Sequence, residues 1–77
     1  MNIEGTVTDL RRLKNTANGN PMWSFALTGI ASYPWIHRVK TKPNSQCSYL
    51  ISPNWEGQKV RVHMRSVTLF DDIELID

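Results

Sequence analysis

Asn18-Gly19-Asn20-Pro21-Met22-Trp23-Ser24-Phe25-Ala26-Leu27-Thr28 is the stretch on which the fold turns. It opens as a turn, because Asn and Gly tolerate positive φ and Pro fixes the exit direction. In the residues that follow, Trp23, Phe25 and Leu27 alternate with Met22, Ser24, Ala26 and Thr28. Successive side chains on a strand point to opposite faces, so the pattern predicts a strand with Trp23, Phe25 and Leu27 in a core. Ser24 and Ala26 are expected outward. A slip of one residue would turn the whole apolar stripe to solvent, so the register is strongly specified.

Toward the N-terminus, the turn-rich residues 15–21 read as the tip of a hairpin, and its first strand is Ile3, Gly5 and Val7 alternating with Glu4, Thr6 and Thr8. Leu10 breaks that phase by one residue, as a β-bulge does where a strand bends around a small barrel. Toward the C-terminus, an irregular stretch holding Ser32-Tyr33-Pro34 leads to a strand-like run from Trp35 to Thr41. Burying Arg38 and Lys40 unpaired would be costly, which places them outside. Pro43-Asn44-Ser45 reads as the entrance of a short helix capped by Asn44 or Ser45 and ending near Ile51, before Ser52-Pro53-Asn54. From Lys59 to Arg65, Val60, Val62 and Met64 alternate with Arg61, His63 and Arg65, a half-buried strand with a basic outer face. Val67, Leu69, Ile73 and Leu75 supply the last strand material, with a turn expected at Asp71-Asp72.

A chain of 77 residues has room for a single domain, here residues 1–77. At 40% hydrophobic and 21% charged residues, it is too apolar for disorder and too polar for a membrane span. The sequence begins Met1-Asn2-Ile3-Glu4 without a basic-then-apolar leader, so a cytoplasmic location is expected. The lone Cys47 has no internal disulfide partner, and packing must hold the domain. The net charge of +2 hides an uneven distribution: residues 1–65 balance at +6 and the last seven hold four acids. Sequence alone leaves open whether the two regions occupy opposite faces.

The order strand, hairpin, strand, strand, short helix, strand, strand is that of the oligonucleotide/oligosaccharide-binding (OB) fold, a five-stranded Greek-key barrel with a helix between strands three and four. Gly5-Thr6-Val7-Thr8 with Asn18 to Leu27 resembles the first hairpin of OB domains, and Trp55, Gly57, Val60 and Val62 are similar to the approach to their fourth strand. The chain as a whole is similar to small OB-type proteins of bacteriophages and their bacterial hosts. A Src-homology-type barrel is the structural competitor. Bacterial single-stranded-DNA-binding proteins differ in having a longer core and a flexible linker ending in an acidic peptide. Here Asp71, Asp72 and Glu74 interleave with Ile73, Leu75 and Ile76, so a partner-recruiting tail is not expected.

Single strands are held by cations that follow phosphates and by rings on which bases stack. Tyr33, Trp35, Arg38, Lys40 and Lys42 supply both within one segment. The resemblance implies a ligand path over strands two and three and the loops after strands one and four, which adds Arg11, Arg12 and Lys14 at the first hairpin and Arg61 and Arg65 at the other end. The expected activity is binding of single-stranded DNA or RNA with little sequence preference and without catalysis. Charged strand faces and single exposed aromatics are also ordinary surface features. The alternative is therefore a phage-type regulator or inhibitor that docks on a host protein or pairs with a second copy. Trp23 and Trp55 read as core or barrel plug. Cys47, His37 and His63 lack any local nucleophile-and-base signature and fall short of a zinc set. No cofactor, metal or membrane partner is expected.

Overall fold

The computed structural model describes residues 1–29 and 38–76. They form five strands, β1 (Asn2–Leu13), β2 (Met22–Thr28), β3 (Arg38–Thr41), β4 (Lys59–Met64) and β5 (Leu69–Leu75), with two short 3-10 turns, Gln46–Tyr49 and Pro53–Trp55, between β3 and β4. The strands close into a barrel in the order β1-β2-β3-β5-β4. All neighbours are antiparallel except β3 and β5, which run parallel and bring together strands that are not consecutive in the chain. This all-β Greek-key barrel is compatible with an OB-like fold. Among the described residues, no helix is long and apolar enough to cross a membrane.

β1 serves two partners. Its first half pairs with β4, from Asn2 opposite His63 to Thr6 opposite Lys59, and its second half pairs with β2, from Thr6 opposite Thr28 to Leu13 opposite Met22. A strand can do this only by bending, and the bend is where Leu10 breaks phase. The pairing skips from Thr8 opposite Ala26 to Arg11 opposite Ser24, and Asp9 takes a positive φ of 53°. Gly5 marks a second close approach: a Cβ there would lie 2.8 Å from the Thr28 carbonyl oxygen. No other residue fits without moving β2.

The core lies inside the barrel and has Phe25, Val7, Val39, Val60, Val62 and Phe70 at its centre, each essentially without solvent contact. The Phe25 and Phe70 rings, from β2 and β5, meet at 5.4 Å between centroids. Trp23, Phe25 and Leu27 face inward as their alternation requires, and Trp55 packs half-buried against the same cluster.

Four expectations need revision. The segment after Pro43 is not a capped helix. Ser45 donates to the Asp71 carbonyl, and Asn44, at φ 65°, accepts hydrogen bonds from Thr16 and Asn20 of the first hairpin. Both caps are spent on tertiary contacts, and Pro53 bars a longer helix. Asp71-Asp72 is no turn: β5 runs through it, with Asp71 as the extra residue between His63 opposite Asp72 and Met64 opposite Phe70. Met22, expected outward, is buried beside the Thr41 hydroxyl. Ser24, also expected outward, is 7% exposed because Arg38 lies over it.

Candidate nucleic-acid interface

The bulge in β1 organises one side of the barrel. Two successive amides that would otherwise meet a strand, those of Asp9 and Leu10, donate to the Glu56 carboxylate at 3.1 and 2.8 Å. Glu56 is held beside them because the flanking backbone is stitched to Val7: Gly57 donates to the Val7 carbonyl and the Val7 amide donates to Gln58. A single side chain thus stands in for a missing strand.

The Asp9 side chain faces the other way, toward Arg11 and Arg38. The Arg11 hydrogen bond, aided by the charges of both guanidiniums, holds the Asp9 carboxyl below the usual carboxylate range. Arg38 spends its whole fork here: Nη1 on Asp9 Oδ2 at 2.9 Å, Nη2 on the Asp9 carbonyl at 2.7 Å and Nε on Ser24 Oγ at 2.7 Å. It clamps β3 across β2 to the bulge of β1. The open groove floor expected at Ser24 is therefore closed by Arg38, whose donors are committed to protein acceptors.

Lys40 lies outward on β3, opposite Ser24 of β2 and next to Leu69 of β5, and is exposed. Lys42 follows just past the strand, and Lys14 just past β1. Among the described residues, no carboxylate lies within ion-pair distance of Lys14, Lys40 or Lys42. Their segments are fixed to each other: the Asn44 amide oxygen accepts from Thr16 Oγ1 at 3.1 Å and Asn20 Nδ2 at 2.6 Å, and Tyr49 donates its hydroxyl to Asn20. The hairpin tip after Lys14 is thereby docked on the loop after Lys42. Tyr33 and Trp35 lie outside the described residues.

Arg12 is exposed but anchored. Its guanidinium donates to the carbonyls of Leu13 and Met22 and to the Asn15 side chain, and its carbon lies 5.6 Å from the centre of the Trp23 ring. Beside it, Leu10, Arg12, Trp23, Pro53 and Glu56 line an open groove of about 690 Å³ whose walls are mainly apolar. This groove was not visible in the sequence. Its one signal was the phase break at Leu10, since a bulge leaves amides that need an acceptor.

Arg61 and Arg65 are not brought to this side. Arg61, on β4, lies between Glu4 of β1 and Glu74 of β5 and pairs with both, at 2.8 and 2.6 Å, which raises its pKa through the two hydrogen bonds. Arg65 reaches Asp71 at 3.5 Å, and the same carboxylate meets His63 Nδ1 at 2.8 Å. That hydrogen bond lowers the Asp71 pKa, with the nearby charges of His63 and Arg65 adding to it. The basic face expected of β4 is largely neutralised by its neighbours. Cys47 is buried, and burial pushes its thiol pKa up, away from the reactive thiolate. Among the described residues, no group of three His, Cys, Asp or Glu side chains is placed to hold a metal ion.

No family model, curated protein or solved structure matches the chain. The functional reading rests on this geometry and on the sequence.

Proposed function

We propose that this OB-like barrel is a non-enzymatic, cytoplasmic binder of single-stranded nucleic acid, DNA or RNA, with little overall sequence preference. One observation carries the reading: Lys14, Lys40 and Lys42, on or just past β1 and β3, have no carboxylate within ion-pair distance among the described residues, whereas Arg11, Arg38, Arg61 and Arg65 are all paired. A phosphate chain needs such a row of uncommitted cations, because affinity comes from the counterions that they release. Of the strand-three group, Lys40 and Lys42 take the phosphates and Arg38 holds the surface in shape. Tyr33 and Trp35 are proposed as stacking surfaces.

Titration of labelled single- and double-stranded oligonucleotides at two salt concentrations tests this. Three phosphate contacts give a log-log salt slope near −2 on a single strand, about −0.7 for each contact. Replacing Lys40 by Gln lowers affinity similarly for different sequences and makes the slope shallower by about 0.7, whereas Arg61→Gln leaves both unchanged. Absence of binding at low salt, or indifference to all three lysine replacements, overturns the reading in favour of protein docking.

A further inference from the structure

The groove beside the bulge combines three features that suit one nucleobase. Its walls, Leu10, Trp23 and Pro53, are apolar, and its volume of about 690 Å³ falls within the range of small-ligand sites. Arg12 lies over Trp23 with its plane fixed by three acceptors, so its outer face is presented without further ordering cost. The remaining lining group, Glu56, is exposed and is an acceptor only. A carboxylate has about four lone-pair sites. The Asp9 and Leu10 amides take one on each oxygen, which leaves one free on each.

An aromatic ring with two adjacent N–H donors on one edge satisfies all of this at once. The geometry points to a guanine subsite, in which one base of the bound strand stacks on Arg12 while its N1–H and N2–H donate to the two Glu56 oxygens. The inference rests on the nucleic-acid reading above and adds a preference at one position of an otherwise tolerant strand. Thymine and uracil place carbonyls on either side of their single N–H and are repelled by the carboxylate. Adenine and cytosine offer an amino group flanked by an acceptor. The amides that already hold Glu56 fix its carboxylate in place before any ligand arrives. A basic side chain from a protein partner would suit Glu56 alone, but Arg12 in the same groove opposes it.

The test uses the unaltered protein and thymine oligonucleotides of one length with a single central guanine, hypoxanthine, adenine or cytosine. Hypoxanthine keeps the ring and N1–H and lacks only the N2 amino group. Guanine should bind roughly tenfold more tightly than hypoxanthine, the scale of one hydrogen bond to a charged acceptor. Glu56→Gln should erase that difference while leaving the salt slope on the all-thymine strand intact. Because the base comparison needs no variant, it decides the matter even if Glu56→Gln fails to fold. Equal affinity for all four oligonucleotides, with a normal salt slope, overturns the subsite and leaves the nucleic-acid reading standing. No binding to any of them overturns both. Binding of an arginine-rich peptide that is lost in Glu56→Gln, without a guanine preference, assigns the groove to a protein partner.

Discussion

Lys40 on β3 and Arg61 on β4 look alike in sequence, each a basic residue between two side chains that enter the core, Val39 and Thr41 for one and Val60 and Val62 for the other, and the barrel gives them opposite fates. Arg61 has Glu4 on one side and Glu74 on the other and pairs with both. Lys40 has Ser24 on one side and Leu69 on the other, neither of which carries a charge. The availability of a strand cation is thus set by the strands beside it. The arginines of the β1-β4-β5 side are taken up in ion pairs, while the β1-β2-β3 side leaves Lys14, Lys40 and Lys42 exposed around the clamping Arg38. The difference separates cations that hold the fold from cations open to a ligand.

Both sides rest on one core, which sets the largest expected effect. Phe25 of β2 meets Phe70 of β5, so Phe25→Ala should cost roughly 3 to 5 kcal/mol and melt the two sides together. Two separate denaturation transitions, followed by tryptophan fluorescence and by amide exchange in β4, would contradict a single cooperative barrel.

Next is Arg38, the clamp. Arg38→Ala removes charge-assisted hydrogen bonds to the Ser24 hydroxyl and the Asp9 carbonyl and should cost roughly 1 to 3 kcal/mol. Lys40→Gln, two residues away, should change stability by no more than about 0.5 kcal/mol while weakening oligonucleotide binding. Equal stability losses in chemical denaturation would mean that the division between structural and ligand-facing cations is wrong.

Smaller still is Arg61→Gln. Its pairs are half-exposed, so the loss should be smaller than that of Arg38→Ala and shrink as salt is raised. A loss as large as that of Arg38→Ala, or one indifferent to salt, would place Arg61 among the clamps.

The last effect is one of pH. Asp9 and Asp71 are depressed in the folded state, Asp9 chiefly by its hydrogen bond from Arg11 and Asp71 chiefly by that with His63. A depressed carboxylate contributes stability that is fully present above its unfolded pKa and is lost as pH falls through its folded value. Stability should therefore hold near neutrality and decline below about pH 4. Asp9→Asn and Asp71→Asn should each flatten that decline in a pH series of denaturant midpoints. An unchanged acid slope in both would show that these carboxylates are not depressed.

Much of the fold was legible because strand periodicity is a local property. Trp23-Ser24-Phe25-Ala26-Leu27 announces which residues are buried, and the single phase break at Leu10 announces a bulge. Turn chemistry at Asn18-Gly19-Asn20-Pro21 is equally local. The misplacements share one cause. Ser24 reads as open floor because its cover, Arg38, lies 14 residues on, and Asn44 reads as a helix cap because its hairpin partners, Thr16 and Asn20, lie 28 and 24 residues back. Asp71-Asp72 reads as a turn because a bulge and a turn look alike until the opposing strand is known.

By itself, then, the sequence determined the all-β class, the inward faces of β1, β2 and β4, the bend in β1 and the inventory of cations. Only the tertiary structure decided which cations are free. A cation's electrostatic surroundings depend on groups a few ångströms away. In a barrel closed by a parallel pairing of β3 with β5, those groups come from parts of the chain far removed in sequence: Glu4 reaches Arg61 across 57 residues, and Glu56 reaches the amides of Asp9 and Leu10 across 47 and 46.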